Sequence, residues 1–330
     1  MIVILLCLLA TACVSIDNPE DSVNLLAGTH TDGDRFSTGN TLPLVGRPWG
    51  FNHWAPQTRD GSKHTGSWWF KGYEHRMTWL RCTHQPSPWI GDWGWFLFGP
   101  QISSGEGERN PEFFWEPRGA VIKPHLFDAT VAPLNIRMEL TPTDHGALLR
   151  VTFPLSAEGR GQKRICFVES DWLEHGAAKD GSGVHFINGR NNKAKQDRMI
   201  ISNFNMHIRA ESSMATSVDS NGDMICFKYA SDATVVTVRI ATSLISQEQA
   251  LTNLQRELPM SRGFDDLLAE SKGVWNKLLR RVDIVDPGDL GAAAKHVIVF
   301  YTSLVRALSF PRRLDETTAG EDRRSAPSDR

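Results

Sequence analysis

Short runs of alternating apolar and polar residues, cut apart by turn signals, constrain this chain more than any other feature. Ile136, Met138 and Leu140 alternate with polar or charged neighbours. So do Leu149, Val151 and Phe153; Ile165 and Phe167; Met206 and Ile208; Ile225, Phe227 and Tyr229; and Val236, Val238 and Ile240. A period of two puts every second side chain on one face of a pleated strand, so each run predicts a strand with one buried face. Asp144-His145-Gly146, Asp180-Gly181-Ser182-Gly183, Asn188-Gly189 and Asn221-Gly222 read as the turns between them. Strands of this length and spacing predict a mainly β protein, an antiparallel β-sandwich.

The pattern changes near Ser246. Ser246 and Gln249 form a capping box ahead of a predicted helix, Gln247 to Leu258, which Pro259 and Gly263 end. Leu267, Leu268, Ser271, Val274, Trp275, Leu278 and Leu279 then follow helical spacing. After a break at Asp286-Pro287-Gly288, a third helix runs through Leu290, Ala294, Val297, Tyr301, Leu304, Val305 and Leu308 and stops at Pro311. Sheet followed by helices suits an α+β layout or two domains. The chain divides into a leader at 1–12, a sandwich at 20–245, helices at 246–314 and a tail at 315–330. The tail is polar without apolar periodicity and predicts disorder.

A sandwich of this size needs an ordinary globular composition, and 40% hydrophobic with 22% charged residues supplies it. A formal net charge of −2 lacks the basic footprint of a nucleic-acid binder. Met1 to Ala12 is apolar and ends Ala10-Thr11-Ala12, which reads as the apolar part of a secretory signal and predicts export. A buried N-terminal strand is the alternative reading. The run is too short to span a bilayer, which takes about 20 residues. The five cysteines contain no C-x-x-C. Cys166 and Cys226 fall in predicted strands, Arg164–Glu169 and Met224–Tyr229. They read as buried thiols, or as a bridge if the chain is exported.

The chemistry concentrates in Thr83-His84-Gln85-Pro86-Ser87-Pro88-Trp89-Ile90-Gly91-Asp92-Trp93-Gly94. Two prolines make a regular helix unfavourable there, and two glycines permit tight turns. Flat indoles beside short polar groups suit a sugar, whose C–H face packs on an aromatic ring while its hydroxyls need directed partners. The competing reading is a Trp-rich core loop. His84, Ser87 and Asp92 do not read as a nucleophilic triad, because triads assemble across a fold rather than along one loop. Glu169, Asp171 and Glu174, beside Trp172 and His175, read as a solvated strand end.

Val23-Asn24-Leu25-Leu26-Ala27-Gly28-Thr29, Gly39-Asn40-Thr41-Leu42-Pro43 and Arg47-Pro48-Trp49-Gly50-Phe51 precede that loop. In this order, the four segments resemble the N-terminal domain of glycoside hydrolase family 92. Leu25, Leu44 and Trp49 depart from the Pro, Gly and Phe usual in the family. The resemblance spans most of residues 20 to 310. It implies a galactose-mutarotase-like supersandwich followed by linker helices that lead into an (α/α) barrel. It implies a calcium-dependent, inverting exo-α-mannosidase acting on mannose-containing glycans. The catalytic carboxylates and calcium ligands of the family belong mainly to the barrel, so no catalytic or metal residue is assigned here. The sandwich is expected to supply sugar-binding loops: Trp89 as a stacking platform, Asp92 as an acceptor of hydroxyl protons, Arg47 as a bidentate donor, and Asn40, Thr41 and His84 as substrate-side polar groups. A buried ion pair is the alternative for Arg47, and a bond to a loop carbonyl for His84. The rest of the barrel, several hundred residues in the family, is the expected partner of this chain, which reads as truncated before it. A non-catalytic carbohydrate-binding sandwich is the alternative function.

Overall fold

The computed structural model describes residues 16–29, 40–58, 69–72, 74–103, 112–155, 161–192, 195–196, 199–200, 204–282, 284, 293–318 and 323–325. The leader at 1–12 and Gly39 lie outside the described residues. After a short 3-10 turn at Pro19–Ser22 come β1 (His53–Pro56), β2 (Arg76–Met77), β3 (Leu80–Thr83), β4 (Phe96–Ser103) and β5 (Phe113–Phe114). Next are β6 (Val121–Lys123), β7 (Leu126–Val131), β8 (Ile136–Pro142), β9 (Gly146–Thr152) and β10 (Gln162–Val168). Then follow β11 (Asp171–Ala177), β12 (His185–Asn191), β13 (Lys195–Gln196), β14 (Met199–Ile200) and β15 (Met206–Ser212). The sandwich closes with β16 (Ser217–Asn221), β17 (Met224–Lys228) and β18 (Val235–Ser243). Three helices, α1 (Gln247–Glu257), α2 (Phe264–Leu279) and α3 (Ala293–Ser309), lead to β19 (Asp315–Thr317) and β20 (Arg323–Ser325).

The large strands form two antiparallel sheets, as the alternation requires. One has the order β1-β3-β4-β10-β17-β16, the other β11-β12-β15-β18-β9-β8-β7-β6. Their inner faces share one core. Phe98 stacks on Phe167 with centroids 5.8 Å apart, and Trp54 meets Phe98 edge-on at 5.5 Å. From the eight-stranded sheet, Met138, Leu140, Leu149, Val151, Ile208, Val236, Val238 and Ile240 are buried. Burying each such side chain contributes about 1.5–3 kcal/mol. Cys166 and Cys226 are directly opposed on β10 and β17 and are joined as a disulfide.

Two expectations change. Asn188-Gly189 is not a turn but lies inside β12, where Trp172 of the neighbouring strand packs so closely that a Cβ on Gly189 would sit 2.7 Å from its ring. Leu80–Thr83 and Phe96–Ser103, which flank the Thr83–Gly94 loop, are strands buried along nearly their whole length. The disordered tail expected at 315–330 is corrected at its start. Glu316 is buried in β19, accepting from Leu244 N at 2.8 Å and Asn253 Nδ2 at 2.7 Å. Residues 319–322 and 326–330 lie outside the described residues.

The helices fold back on the sandwich rather than projecting from it. Ser246 Oγ accepts from Gln249 N at 3.1 Å and caps α1. The Gln249 side chain does not complete the box; it donates to Asn253 Oδ1 and Thr317 O instead. Trp275 of α2 donates to Gly46 O at 2.9 Å, and Asn24 N donates to Thr302 Oγ1 of α3 at 3.0 Å.

Candidate functional site

The Thr83–Gly94 loop joins β3 to β4, and a single carboxylate organises it. Asp92 Oδ2 accepts from Arg81 Nε at 3.0 Å, Arg81 Nη2 at 2.9 Å and Thr83 Oγ1 at 2.7 Å. Its Oδ1 accepts from His84 N at 2.8 Å and Trp93 N at 2.9 Å. A carboxylate offers about four lone-pair positions, so these five donors saturate it. Arg81 is buried between indoles, 3.9 Å from the Trp95 ring and 4.8 Å from that of Trp69, and its Nη1 donates to Gln57 Oε1. Burial pulls the Arg81 guanidinium below its ordinary value, and Asp92 opposes that shift. On the far arm of the loop, Gln85 Nε2 donates to Ile90 O at 2.6 Å. Gly94 closes the loop at φ +60°, where a Cβ would press on Met206.

This bracing leaves one broad indole in solvent. Trp89 is 49% exposed at the loop tip, beside Ile90 at 43%. Trp93 turns inward and stacks on His84 at 3.8 Å.

Of the residues expected to touch sugar, Trp89 is exposed at the loop tip, while Asp92, His84, Arg47 and Thr41 bond within the protein. Asp92 is consumed by the loop itself. His84 is buried, with Nδ1 donating to Trp93 O at 2.7 Å and Nε2 3.0 Å from Asn52 Oδ1. Burial, and then the Arg312 charge, hold His84 well below the ordinary imidazole range. Arg47 is buried and joins the sandwich to the helices, donating from Nε to Pro142 O at 3.0 Å and from Nη2 to Glu270 Oε1 at 2.9 Å. Thr41 bonds to Ala27 O and receives Arg306 Nη2 of α3. Asn40 adopts φ 56°, and its Oδ1 is buried without a hydrogen-bond partner. Thr41 therefore belongs to the contact with α3 rather than to the Thr83–Gly94 loop.

A polar seam behind the loop escapes sequence reading. Asn52 Nδ2 donates to His145 O and Thr242 Oγ1. His145 Nδ1 lies 2.5 Å from Glu257 Oε1, and its Nε2 3.0 Å from Asp315 O. Burial disfavours the His145 charge, but Glu257 outweighs it and raises the imidazole to about 9. Arg312 is half-buried, donating to Phe51 O and lying 2.8 Å from His53 Nδ1; desolvation lowers it to about 10. The only signal for His145 in the sequence is its place in a turn motif. Arg312 has none beyond its charge.

Among the described residues, no three His, Cys, Asp or Glu side chains converge. Calcium needs about six to eight oxygen ligands, so the described residues do not fit the ion that the family resemblance implies.

Residues 22–243 match the N-terminal domain of glycosyl hydrolase family 92, and residues 249–327 match the catalytic domain of the same family. The chain belongs to glycosyl hydrolase family 92. No curated protein matches the sequence. Among solved structures, it is similar to an inverting mannosidase of this family from Bacteroides thetaiotaomicron, with 26% identity and a TM-score of 0.74 over 91% of this chain and 41% of the other. It shares the fold of the family hydrolase ccman5 at 16% identity and TM-score 0.71, covering 94% of this chain and 44% of that one. It also shares the fold of a family α-mannosidase from Bacteroides thetaiotaomicron at 16% identity and TM-score 0.67, over 91% and 42%. The chain thus spans 41–44% of the length of these structures.

Proposed function

We propose that this chain forms the sandwich and the first helices of a calcium-dependent, inverting exo-α-mannosidase that is exported and acts on mannose-containing glycans. The observation that carries the reading is the exposed Trp89 indole on a loop fixed by Asp92. A rigid platform orients a pyranose without the entropic cost of ordering a mobile loop at binding. Family membership and the 26% identity to an inverting mannosidase support the substrate class. The Cys166–Cys226 disulfide supports export, since such bonds persist in oxidising compartments. No described helix is long and apolar enough to cross a membrane.

In this reading the acid and base come from the catalytic domain, about 6.5–9.5 Å apart across the sugar, with room for the attacking water. The sandwich contributes position rather than proton transfer. The test uses the polypeptide purified from its native host, with mannobiose as substrate and with calcium supplied or chelated. Calcium-dependent release of mannose, appearing first as the β-anomer by NMR, is expected. Release of the α-anomer first, or turnover unaffected by chelation, would contradict the inverting or the calcium part of the reading. N-terminal sequencing of the same material should begin near Cys13.

A further inference from the structure

A cleft of about 840 Å³ opens on the outer face of the eight-stranded sheet, far from the loop just described. Its floor is a row of direct cross-strand neighbours: Phe186 on β12, Glu211 on β15 and Arg239 on β18. Arg209, two residues before Glu211, shares this face, and Gln255 of α1 and Met260 just beyond it form the wall.

The floor is built from buried, paired charges. Arg209 and Glu211 are buried, at 8% and 7% exposure, on a face that α1 covers. Glu211 Oε1 accepts from Arg209 Nε at 2.9 Å and Nη2 at 2.6 Å, and its Oε2 pairs with Arg239 Nη2. Desolvating such a cluster costs several kcal/mol, and apolar residues of similar volume are often as stable or more so. A guanidinium carries five N–H donors. Arg209 directs three at Glu211 and Asn188, and Arg239 directs two at Glu211 and Leu258 O. Both arginines, which line the cleft, therefore hold further N–H donors beyond the bonds already made.

The lining also says what kind of ligand suits it. Lys179, Arg209 and Arg239 are matched by Glu174, Asp180 and Glu211, so the charges cancel and Coulomb attraction selects no anion. Phe186, with Arg209 stacked 4.2 Å from its ring centroid, joins Leu251, Pro259 and Met260 as apolar surface. Directed donors and acceptors beside apolar patches match a neutral polyhydroxylated ring. The volume lies within the range of about 300–1,000 Å³ common for small-molecule sites.

We propose that this cleft is a second sugar-binding site, one that takes a neutral oligosaccharide. It goes beyond the function proposed for the Trp89 loop and is tested separately from it. The loop meets β12 and β15 at their opposite ends, where Asn191 Nδ2 donates to Trp95 O and Gly94 packs on Met206. Phe186 is five residues back along β12, about 16 Å away at the rise of a strand.

The experiment is an NMR and calorimetric titration of the 330-residue protein carrying Trp89→Ala, which removes the loop platform. Mannobiose, maltotriose and glucose 1-phosphate are the probes. Saturable binding of a neutral probe is expected, weakened about tenfold or more by Phe186→Ala and by Gln255→Trp. Gln255 is exposed, so Gln255→Trp fills the cleft from outside the core, and an unchanged melting temperature verifies folding. The proposal is overturned if no neutral probe binds, if binding ignores both cleft variants, or if glucose 1-phosphate binds more tightly than the neutral sugars. None of these results bears on Trp89. If mannobiose binds the wild type but no neutral probe binds Trp89→Ala, the loop reading stands and the cleft reading fails.

Discussion

Asp92 receives both Nε and Nη2 of Arg81 on one oxygen, Oδ2, at 3.0 and 2.9 Å. The two residues stand at the end of β3 and in the loop that follows it, and both side chains are almost fully buried. The bond ties the Thr83–Gly94 loop to the sandwich core. Trp89 is exposed because its neighbours are held down, not because the loop is loose.

Removing the carboxylate should therefore damage the fold before it touches any ligand. Asp92→Ala leaves Arg81 buried and unpaired, at an expected cost of about 3–5 kcal/mol. Denaturant unfolding of wild type and variant checks this. A variant within about 0.5 kcal/mol of wild type, the range of an ordinary surface change, would show that the pair does not brace the loop.

The His145–Glu257 tie gives stability a pH dependence with a defined sign. His145 is raised from 6.5 to about 9 in the folded state, so its contribution is fully present below about 6.5 and is lost as pH rises through about 9. Glu257 is held below its ordinary value because His145 outweighs burial, so its contribution is lost on the acid side, as pH falls through that lowered value. Unfolding free energy should fall by something on the order of 2 kcal/mol between neutral pH and about pH 10. His145→Gln should remove most of that slope. An equal slope in the variant would place its origin elsewhere.

The disulfide closes a sequence separation of 60 residues between two core strands. Cys166→Ala with Cys226→Ala should cost about 2–5 kcal/mol. Thermal melts with and without reductant test it. The wild type should melt at a lower temperature when reduced, and the double variant should not respond. Identical wild-type melts in both conditions would contradict a structural disulfide, and with it one support for export.

The strands that sequence shows clearly are those whose apolar residues alternate with polar or charged ones. β8, β9, β10, β15, β17 and β18 carry that alternation and bury its apolar residues in the shared core. β4 runs Phe-Leu-Phe-Gly-Pro-Gln-Ile-Ser and holds no such period, and β3 is only four residues long. The site was legible in composition but not in pairing. Asp92, His84 and Arg47 are the residue types that bind sugars, and they are also the types that brace loops. Tertiary contact decides between the two. Arg81 lies 11 residues from Asp92, and Glu270 lies 223 from Arg47. The strand at Glu316 was hidden for a similar reason, since a charged residue in a polar tail gives no sign of the Asn253 amide and Leu244 N–H that bury it.

The most direct test of the account is the effect of Trp89→Ala on kcat/KM for mannobiose in the polypeptide from the native host, measured beside its melting temperature. The indole is 49% exposed, so the melting temperature should hold, while kcat/KM should drop about 10- to 100-fold, or about 1.4–2.8 kcal/mol of transition-state stabilisation. An unchanged kcat/KM in a variant that melts like the wild type would contradict the placement of the Thr83–Gly94 loop at the sugar.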